Sequence, residues 1–459
     1  MKTIVKANSI VSSVVGEQPV KDADYRLMKY TFQVETEDGM LLHNVITGQL
    51  VLLTEKEKRA LDRLPMRVDE GLTDLISGYY LVPAGFDEYS FVQGYRRVLQ
   101  MSEKNKKKAI TKYTIFPTTC CNAHCFYCFE SEYRKITMDS ETARRTADFI
   151  IHNAEGQKVT IGWFGGEPTV AMQRIDEISA ILKESGIEYS SSMVSNGYLF
   201  SEDVVKKAVE DWKLTHIQIT LDGTEEIYNK TKDYRVQGSA YRRVLQNIKL
   251  LLEAGIGVTV LLNLDEHNEQ DLFELVNILA KQLQKYKRFN VSSHILFEDE
   301  GYEKVHHTQE QEEKLARRNY ELVEYMKEVG LNGIALGNSI SKGVLPSLRY
   351  LYCMVNDSAS LIIGPNGSFY KCEHIPDDLH SRAGLDRGLP DDEEFEKWFV
   401  PREEPQCKNC CLYPECFYPR DCKDHRKCLH IDAEMKIAGF KETAEVKYIE
   451  SKKQESSKN

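Results

Sequence analysis

Thr119-Cys120-Cys121-Asn122-Ala123-His124-Cys125-Phe126-Tyr127-Cys128 is the stretch on which the reading of this chain turns. Cys121, Cys125 and Cys128 stand in the spacing C-x3-C-x2-C, with the aromatic Tyr127 just before the last. That spacing suits three corners of a cubane iron–sulfur cluster and leaves one iron without a protein ligand. Zinc is a second reading, although zinc sites usually close a tetrahedron with paired C-x2-C or Cys/His knuckles. Buried free thiols are the third.

Composition bounds the answer. A chain of 459 residues exceeds one ordinary core, so two or three domains are expected. With 41% hydrophobic and 29% charged residues, it has the make-up of a soluble globular protein. No stretch reaches the apolar length of a membrane span, and Met1-Lys2-Thr3-Ile4-Val5-Lys6 lacks a signal-type apolar core. A cytoplasmic protein with no membrane partner is the expectation. Twelve cysteines in that setting point to metal rather than disulfides. The formal charge of -11 argues against nucleic acid as a partner.

The middle of the chain alternates strand and helix patterns. Short β-branched or aromatic runs predict strands over 113–117, 159–164, 192–195, 216–221, 257–264 and 289–297. Apolar residues at helical spacing predict helices between them, with Val244, Leu245, Ile248, Leu251 and Leu252 on one face, then Leu272, Leu275, Val276, Leu279 and Leu283 on another. Such alternation implies an α/β fold of parallel strands. Motifs fall at predicted strand ends: Trp163-Phe164-Gly165-Gly166-Glu167-Pro168, Ser195-Asn196-Gly197 and Gln218-Ile219-Thr220-Leu221-Asp222-Gly223. Paired glycines let backbone approach a ligand closely. By strand alternation Gln218, Thr220 and Asp222 share one face, where they need polar partners.

Cys121 to Cys128 resembles the signature of the radical SAM superfamily. The resemblance implies a [4Fe–4S] cluster whose open iron chelates S-adenosylmethionine (SAM), so that an injected electron breaks the S–C5′ bond to give a 5′-deoxyadenosyl radical. It also implies a partial (β/α)6 barrel with the active site at the C-terminal strand ends, as in full barrels. Gly165, Gly166, Glu167 and Pro168 are similar to the element that contacts the methionine amino group. Tyr127, Ser195, Asn196, Gln218, Thr220 and Asp222 are further SAM-contact candidates. Asn263 is either another or a structural core residue. A downstream cation is implied for the methionine carboxylate. Lys232 and Arg235 compete for that role, Arg235 being favoured for its bidentate geometry.

Eight more cysteines lie in the last quarter: Cys353, Cys372, Cys407, Cys410, Cys411, Cys416, Cys422 and Cys428. A short hairpin is predicted from Ile363 around Gly367 to Cys372. The pattern resembles the SPASM extension, which carries two auxiliary [4Fe–4S] clusters in peptide-modifying radical SAM enzymes. The resemblance implies Cys353, Cys372 and Cys422 for one cluster and Cys407, Cys410, Cys416 and Cys428 for the other. The five residues between Cys416 and Cys422 exceed the common three. A zinc ribbon from Cys407, Cys410, Cys416 and Cys422 or Cys428 is the alternative. Cys120 and Cys411 are expected to be free thiols.

Near the N-terminus, strands are predicted over 30–34, 41–45 and 49–53. The capping box Thr54-Glu55-Lys56-Glu57 opens a helix, and a further helix over 71–77 leads to a strand over 79–83. The pattern resembles the winged-helix-like RiPP recognition element, which captures leader peptides of ribosomally made precursors. An ordinary β-rich cap is the alternative. The expected organisation is a leader-binding domain over 1–105, the radical SAM barrel over 106–305, a helical bridge over 306–345, the SPASM domain over 346–435 and a frayed polar tail over 436–459. Together these imply a peptide maturase that forms a Cys thioether in a precursor peptide, reduced by a flavodoxin or ferredoxin. Alternatives are an anaerobic sulfatase-maturating type of enzyme, another peptide modification, and an iron–sulfur scaffold or redox sensor without turnover.

Overall fold

The computed structural model describes residues 1–67, 70–106, 109–235, 237–296, 308–331, 333–335, 345–351, 353–374, 381, 383–389, 393, 396–422 and 433–456. Cys428 lies outside them. The chain divides into two units, one of Met1–Lys106, Gly337–Tyr352 and Trp398–Asn459, the other of Lys107–Leu336 and Cys353–Lys397.

In the first unit β1 (Lys2–Val5), β2 (Asp24–Leu27), β3 (Thr31–Thr36), β4 (Gly39–Asn44), β5 (Leu50–Leu52), β6 (Met66–Arg67) and β7 (Leu81–Pro83) make two antiparallel sheets, ordered β1-β5-β4-β3 and β6-β2-β7. The three predicted strands before the capping box are β3, β4 and β5. The box itself forms: the Thr54 hydroxyl accepts the Glu57 N–H and the Glu57 carboxylate accepts the Thr54 N–H, opening the helix Glu55–Leu61.

Residues 1–105 do not close this core by themselves. Val11, Met28, Tyr30, Phe32, Val92 and Leu99 pack in one cluster with Leu348, Leu412, Tyr413 and Phe440 from the far end of the sequence. Two expectations need correction here. The tail over 436–459 is instead most of a helix, Ala433–Ser456, with Phe440, Ala444 and Tyr448 buried along one stripe. The 346–435 segment is divided between the units rather than forming one domain. Sequence reasoning also missed the helix Glu88–Lys104, whose buried face mixes Val92 and Leu99 with Arg96 and so hides its periodicity.

The second unit is built on β8 (Lys112–Thr118), β9 (Val159–Gly165), β10 (Tyr189–Ser195), β11 (Leu214–Thr220), β12 (Gly257–Leu264), β13 (Phe289–Ile295), β14 (Gly333–Ala335), β15 (Ser360–Ile363) and β16 (Phe369–Tyr370). They form one sheet in the order β14-β13-β12-β11-β10-β9-β8-β15-β16. All neighbours run parallel except β15 and β16, the predicted hairpin. The six predicted strands are β8 to β13. Unforeseen was that the hairpin extends the same sheet, with Ser360 beside Lys112 and Ile363 beside Ile115.

Helices bury the apolar side of this sheet. Ala240–Glu253 buries Val244, Leu245, Ile248, Leu251 and Leu252, and Asp271–Leu283 buries Leu272, Leu275, Val276, Leu279 and Leu283, as their periodicity requires. On β11 the alternation is equally plain: Ile217, Ile219 and Leu221 are buried, while Gln218 and Thr220 are half-buried on the opposite face. No helix among the described residues is long and apolar enough to cross a membrane.

Candidate active site

Cys121, Cys125 and Cys128 lie on the loop that leaves the C-terminal end of β8. The next two strands end against this loop. Glu167 N–H donates to the Cys120 carbonyl at 2.9 Å, and Gly166 N–H donates to the Thr118 carbonyl at 3.2 Å. A Cβ on Gly166 would collide with the Cys120 and Thr119 carbonyls, and one on Gly165, which sits at φ +105°, with the Thr118 carbonyl. The glycine pair is therefore demanded by the approach of the cysteine loop.

Glu167 is fully buried. Its carboxylate accepts from Thr169 N–H at 3.0 Å, the Thr169 hydroxyl, the Ser195 hydroxyl at 2.8 Å and Asn196 N–H at 2.7 Å. Burial pushes this carboxyl up while those donors hold it down. With both oxygens occupied by protein, Glu167 is a positioning residue that ties the ends of β9 and β10 together. Pro168, also buried, opens the short turn that follows. Asn196 reaches further, its amide donating to Asn122 Oδ1 at 2.7 Å and approaching Cys121 Sγ at 3.9 Å. Ser195 accepts Gly197 N–H at 3.0 Å.

Asp222 follows the end of β11 and is 1% exposed. One of its oxygens accepts from Tyr127 Oη at 2.7 Å and meets Lys232 Nζ at 2.9 Å, while the other accepts from Asn263 Nδ2 at 3.1 Å. Lys232 also donates to Tyr127 Oη at 2.6 Å. Asn268, unremarked in the sequence, holds the Asp222 and Asn263 carbonyls at 2.9 and 2.7 Å. Of the two competing cations the structure brings Lys232 into this cluster, 4% exposed. Arg235 is largely exposed, 3.5 Å from Asp233. The helix Glu225–Lys232 explains the difference: Tyr228 and Lys232 share its buried face, whereas Arg235 lies beyond Asp233, and both residues take left-handed φ. Tyr228–Lys232 spacing was the signal available.

The residues fit a cluster. Ala123 N–H donates to Cys121 Sγ at 3.4 Å, the kind of bond that tunes iron–sulfur centres. Asn122 Nδ2, buried in the loop, has no hydrogen-bond partner among the described residues and is available to one. Burial raises the Cys121 thiol to about 12 and the Cys128 thiol to about 11.

The later cysteines are more scattered. Cys353 is exposed and Cys372 buried, both in the second unit, while Cys407, Cys410, Cys411, Cys416 and buried Cys422 are in the first. No group of three His, Cys, Asp or Glu that could hold a single metal ion occurs among the described residues. Arg96, buried on its helix, spans the Cys410–Cys416 turn by donating to the carbonyls of Tyr413 at 2.8 Å, Pro414 at 3.3 Å and Cys416 at 3.2 Å.

Residues 115–279 match the family model of the Radical SAM superfamily. The chain carries a radical SAM domain. That domain implies a [4Fe–4S] cluster and SAM, and its match contains the three cysteines and the ends of β9, β10 and β11. Over 180 residues the chain is 27% identical to a cysteine-type anaerobic sulfatase-maturating enzyme of Clostridium novyi (strain NT), covering 37% of this chain and 47% of that protein. The chain thus spans about half the length of that relative. Native anSMEcpe with bound AdoMet and Cp18Cys peptide is similar in structure, with a TM-score of 0.56 and 16% identity over 74% of this chain and 98% of that one. Streptococcus suis SuiB bound to precursor peptide SuiA gives a TM-score of 0.52 at 16% identity over 86% of this chain and 94% of that one. At these identities the likeness is one of fold, and it extends well beyond the radical SAM domain itself.

Proposed function

We propose that this chain is a radical SAM enzyme that modifies a peptide, with Cys121, Cys125 and Cys128 as the ligands of the SAM-binding cluster. The observation that carries the reading is convergence: the loop that carries the three thiols meets the Gly165–Gly166 turn, Asn196 and, through Tyr127, the Asp222–Lys232 pair at successive strand ends. When bound, the cluster and SAM together supply a 5′-deoxyadenosyl radical. The chain's own part is to orient and to exclude water. Glu167 fixes the glycine turn, which would offer carbonyls to the methionine ammonium group; Gln218 and Thr220 would offer polar contacts to the nucleoside; and buried Tyr127 ties the loop to Asp222 and Lys232.

The substrate in this reading is a cysteine-containing precursor peptide, and the product a thioether from a cysteine sulfur to another residue's carbon. Both solved structures named above contain a bound peptide, and that supports a peptide substrate. The C-terminal cysteines would carry auxiliary [4Fe–4S] clusters that accept the released electron, with a flavodoxin or ferredoxin as the external reductant. The leader of the precursor would add to the first unit as a strand, where β3 pairs only with β4 among the described residues. The sulfatase-maturating relative favours a second reading, oxidation of a cysteine to formylglycine.

Mass spectrometry of the cognate peptide after anaerobic turnover decides between them. Thioether formation removes two hydrogens per event and leaves a cysteine resistant to alkylation. Loss of the sulfur would support the second reading, and a product of unchanged mass would exclude both.

A further inference from the structure

A buried charge pair in the second unit is tied to the loop that carries Cys125. Lys232 and Asp222 form a 2.9 Å ion pair whose side chains are 5% and 1% exposed, bridged by the Tyr127 hydroxyl, which donates to Asp222 at 2.7 Å and accepts from Lys232 at 2.6 Å. The pair is tied to the cysteine loop through backbone as well. His124 N–H donates to the Lys232 carbonyl at 2.8 Å, and His124 Nδ1 lies 3.1 Å from the Asp233 carbonyl. Cys125 is therefore flanked in sequence by two residues, His124 and Tyr127, that are both held by the Lys232 segment.

A buried ammonium without a partner would be costly, and Asp222 offsets that cost. The result is a fixed, water-excluded charge pair tied to the cysteine loop through Tyr127 and His124. Charge in such a place is poorly screened. A cluster taking up an electron gains negative charge, and its potential follows local charge and hydrogen bonds to its sulfurs.

Resting on the cluster reading given above, we propose that the Asp222–Lys232 pair sets the reduction potential of the cluster held by Cys121, Cys125 and Cys128. Lys232 favours the reduced state and Asp222 opposes it. Lys232 is then a positioning residue for the cysteine loop and an electrostatic control on when the cluster accepts its electron.

The test is an EPR-monitored redox titration of the reconstituted full chain without SAM. The relevant signal is the one missing from a Cys121→Ala/Cys125→Ala/Cys128→Ala variant. Lys232→Met is expected to move its midpoint to more negative values by at least the equivalent of a tenfold change in the one-electron equilibrium, about 59 mV. Asp222→Asn should move it the other way, and Lys232→Arg should restore it. The double variant Lys232→Met/Asp222→Asn leaves no unpaired buried charge, so it guards against misfolding, and its midpoint should fall between the two singles. Singles that move in the same direction, or that both stay within a tenfold equivalent of the parent, would overturn the inference while the cluster reading stands. Absence of any reducible signal that depends on the three cysteines would overturn the cluster reading, and this inference with it.

Discussion

The loop of Cys121, Cys125 and Cys128 is held by residues at three successive strand ends, Glu167 through its backbone N–H, Asn196 through its amide and Asp222 through Tyr127. The turn that carries Cys410, Cys411 and Cys416 is held by Arg96, which lies more than 300 residues earlier in the sequence, and by Arg349, which pairs with Glu415 at 2.6 Å. In the first region the cysteines are local and their supports distributed. The later cysteines are divided in sequence, Cys353 and Cys372 belonging to one unit and Cys407, Cys410, Cys416 and Cys422 to the other. A reactive site tolerates little positional error, and the denser support belongs where the radical chemistry would occur.

The largest difference should come from removing ligands. Replacing Cys121, Cys125 and Cys128 together by Ala is expected to abolish 5′-deoxyadenosine formation and to lower bound iron by about four per chain. Replacing Cys407, Cys410 and Cys416 by Ala should lose iron too but leave SAM cleavage without peptide largely intact. Liquid chromatography of the nucleoside products, with iron analysis, checks both.

Next in size is Gly166→Ala. Its Cβ must push the Cys120 carbonyl away, displacing the loop, and a displacement on the order of 1 Å costs about 10²-fold in rate. Far-UV circular dichroism should stay native while SAM cleavage falls. Parental cleavage in this variant would mean that the loop can move freely and that the grip described above has no catalytic consequence.

Arg96→Leu addresses the other region. It strips a donor from the carbonyls of Arg349, Tyr413, Pro414 and Cys416, at roughly 1–3 kcal/mol for each buried group left unsatisfied. Urea unfolding should show the first unit weakened, with the signal of the Cys121–Cys128 cluster unchanged. A loss of that signal would show that the two regions depend on each other.

The smallest effect concerns pH. Burial holds the His43 imidazole down at about 4 from 6.5, against the Pro346 carbonyl that pulls it up. The unfolded chain takes this proton below 6.5 and the folded chain only near 4, so the contribution is present above 6.5 and lost as pH falls toward 4. His43→Gln should flatten that slope by up to about 1.4 kcal/mol per pH unit, read from urea midpoints.

Much of the same contrast governs what the sequence could reveal. The six central strands, the Thr54–Glu57 capping box and the split of β11 into Ile217/Ile219 and Gln218/Thr220 faces follow from local pattern, and each is present. The roles of Glu167 and Lys232 were not legible in that way. Glu167 has four protein donors brought from two strand ends, and Lys232 depends on where a helix stops and two left-handed residues turn the chain. The C-terminal helix escaped notice because its buried stripe, Phe440, Ala444 and Tyr448, is narrow and surrounded by Lys and Glu. Likewise the burial of Arg96 arises from carbonyls that no nearby sequence announces.

The most direct test of the central claim is the EPR spectrum of the reduced, reconstituted protein recorded before and after SAM is added. Binding of SAM to the open iron of a cluster on Cys121, Cys125 and Cys128 predicts a changed spectrum in the parent and no SAM-dependent change in the triple Cys→Ala variant. A parent spectrum indifferent to SAM, or a SAM-dependent change that survives loss of all three cysteines, would contradict it.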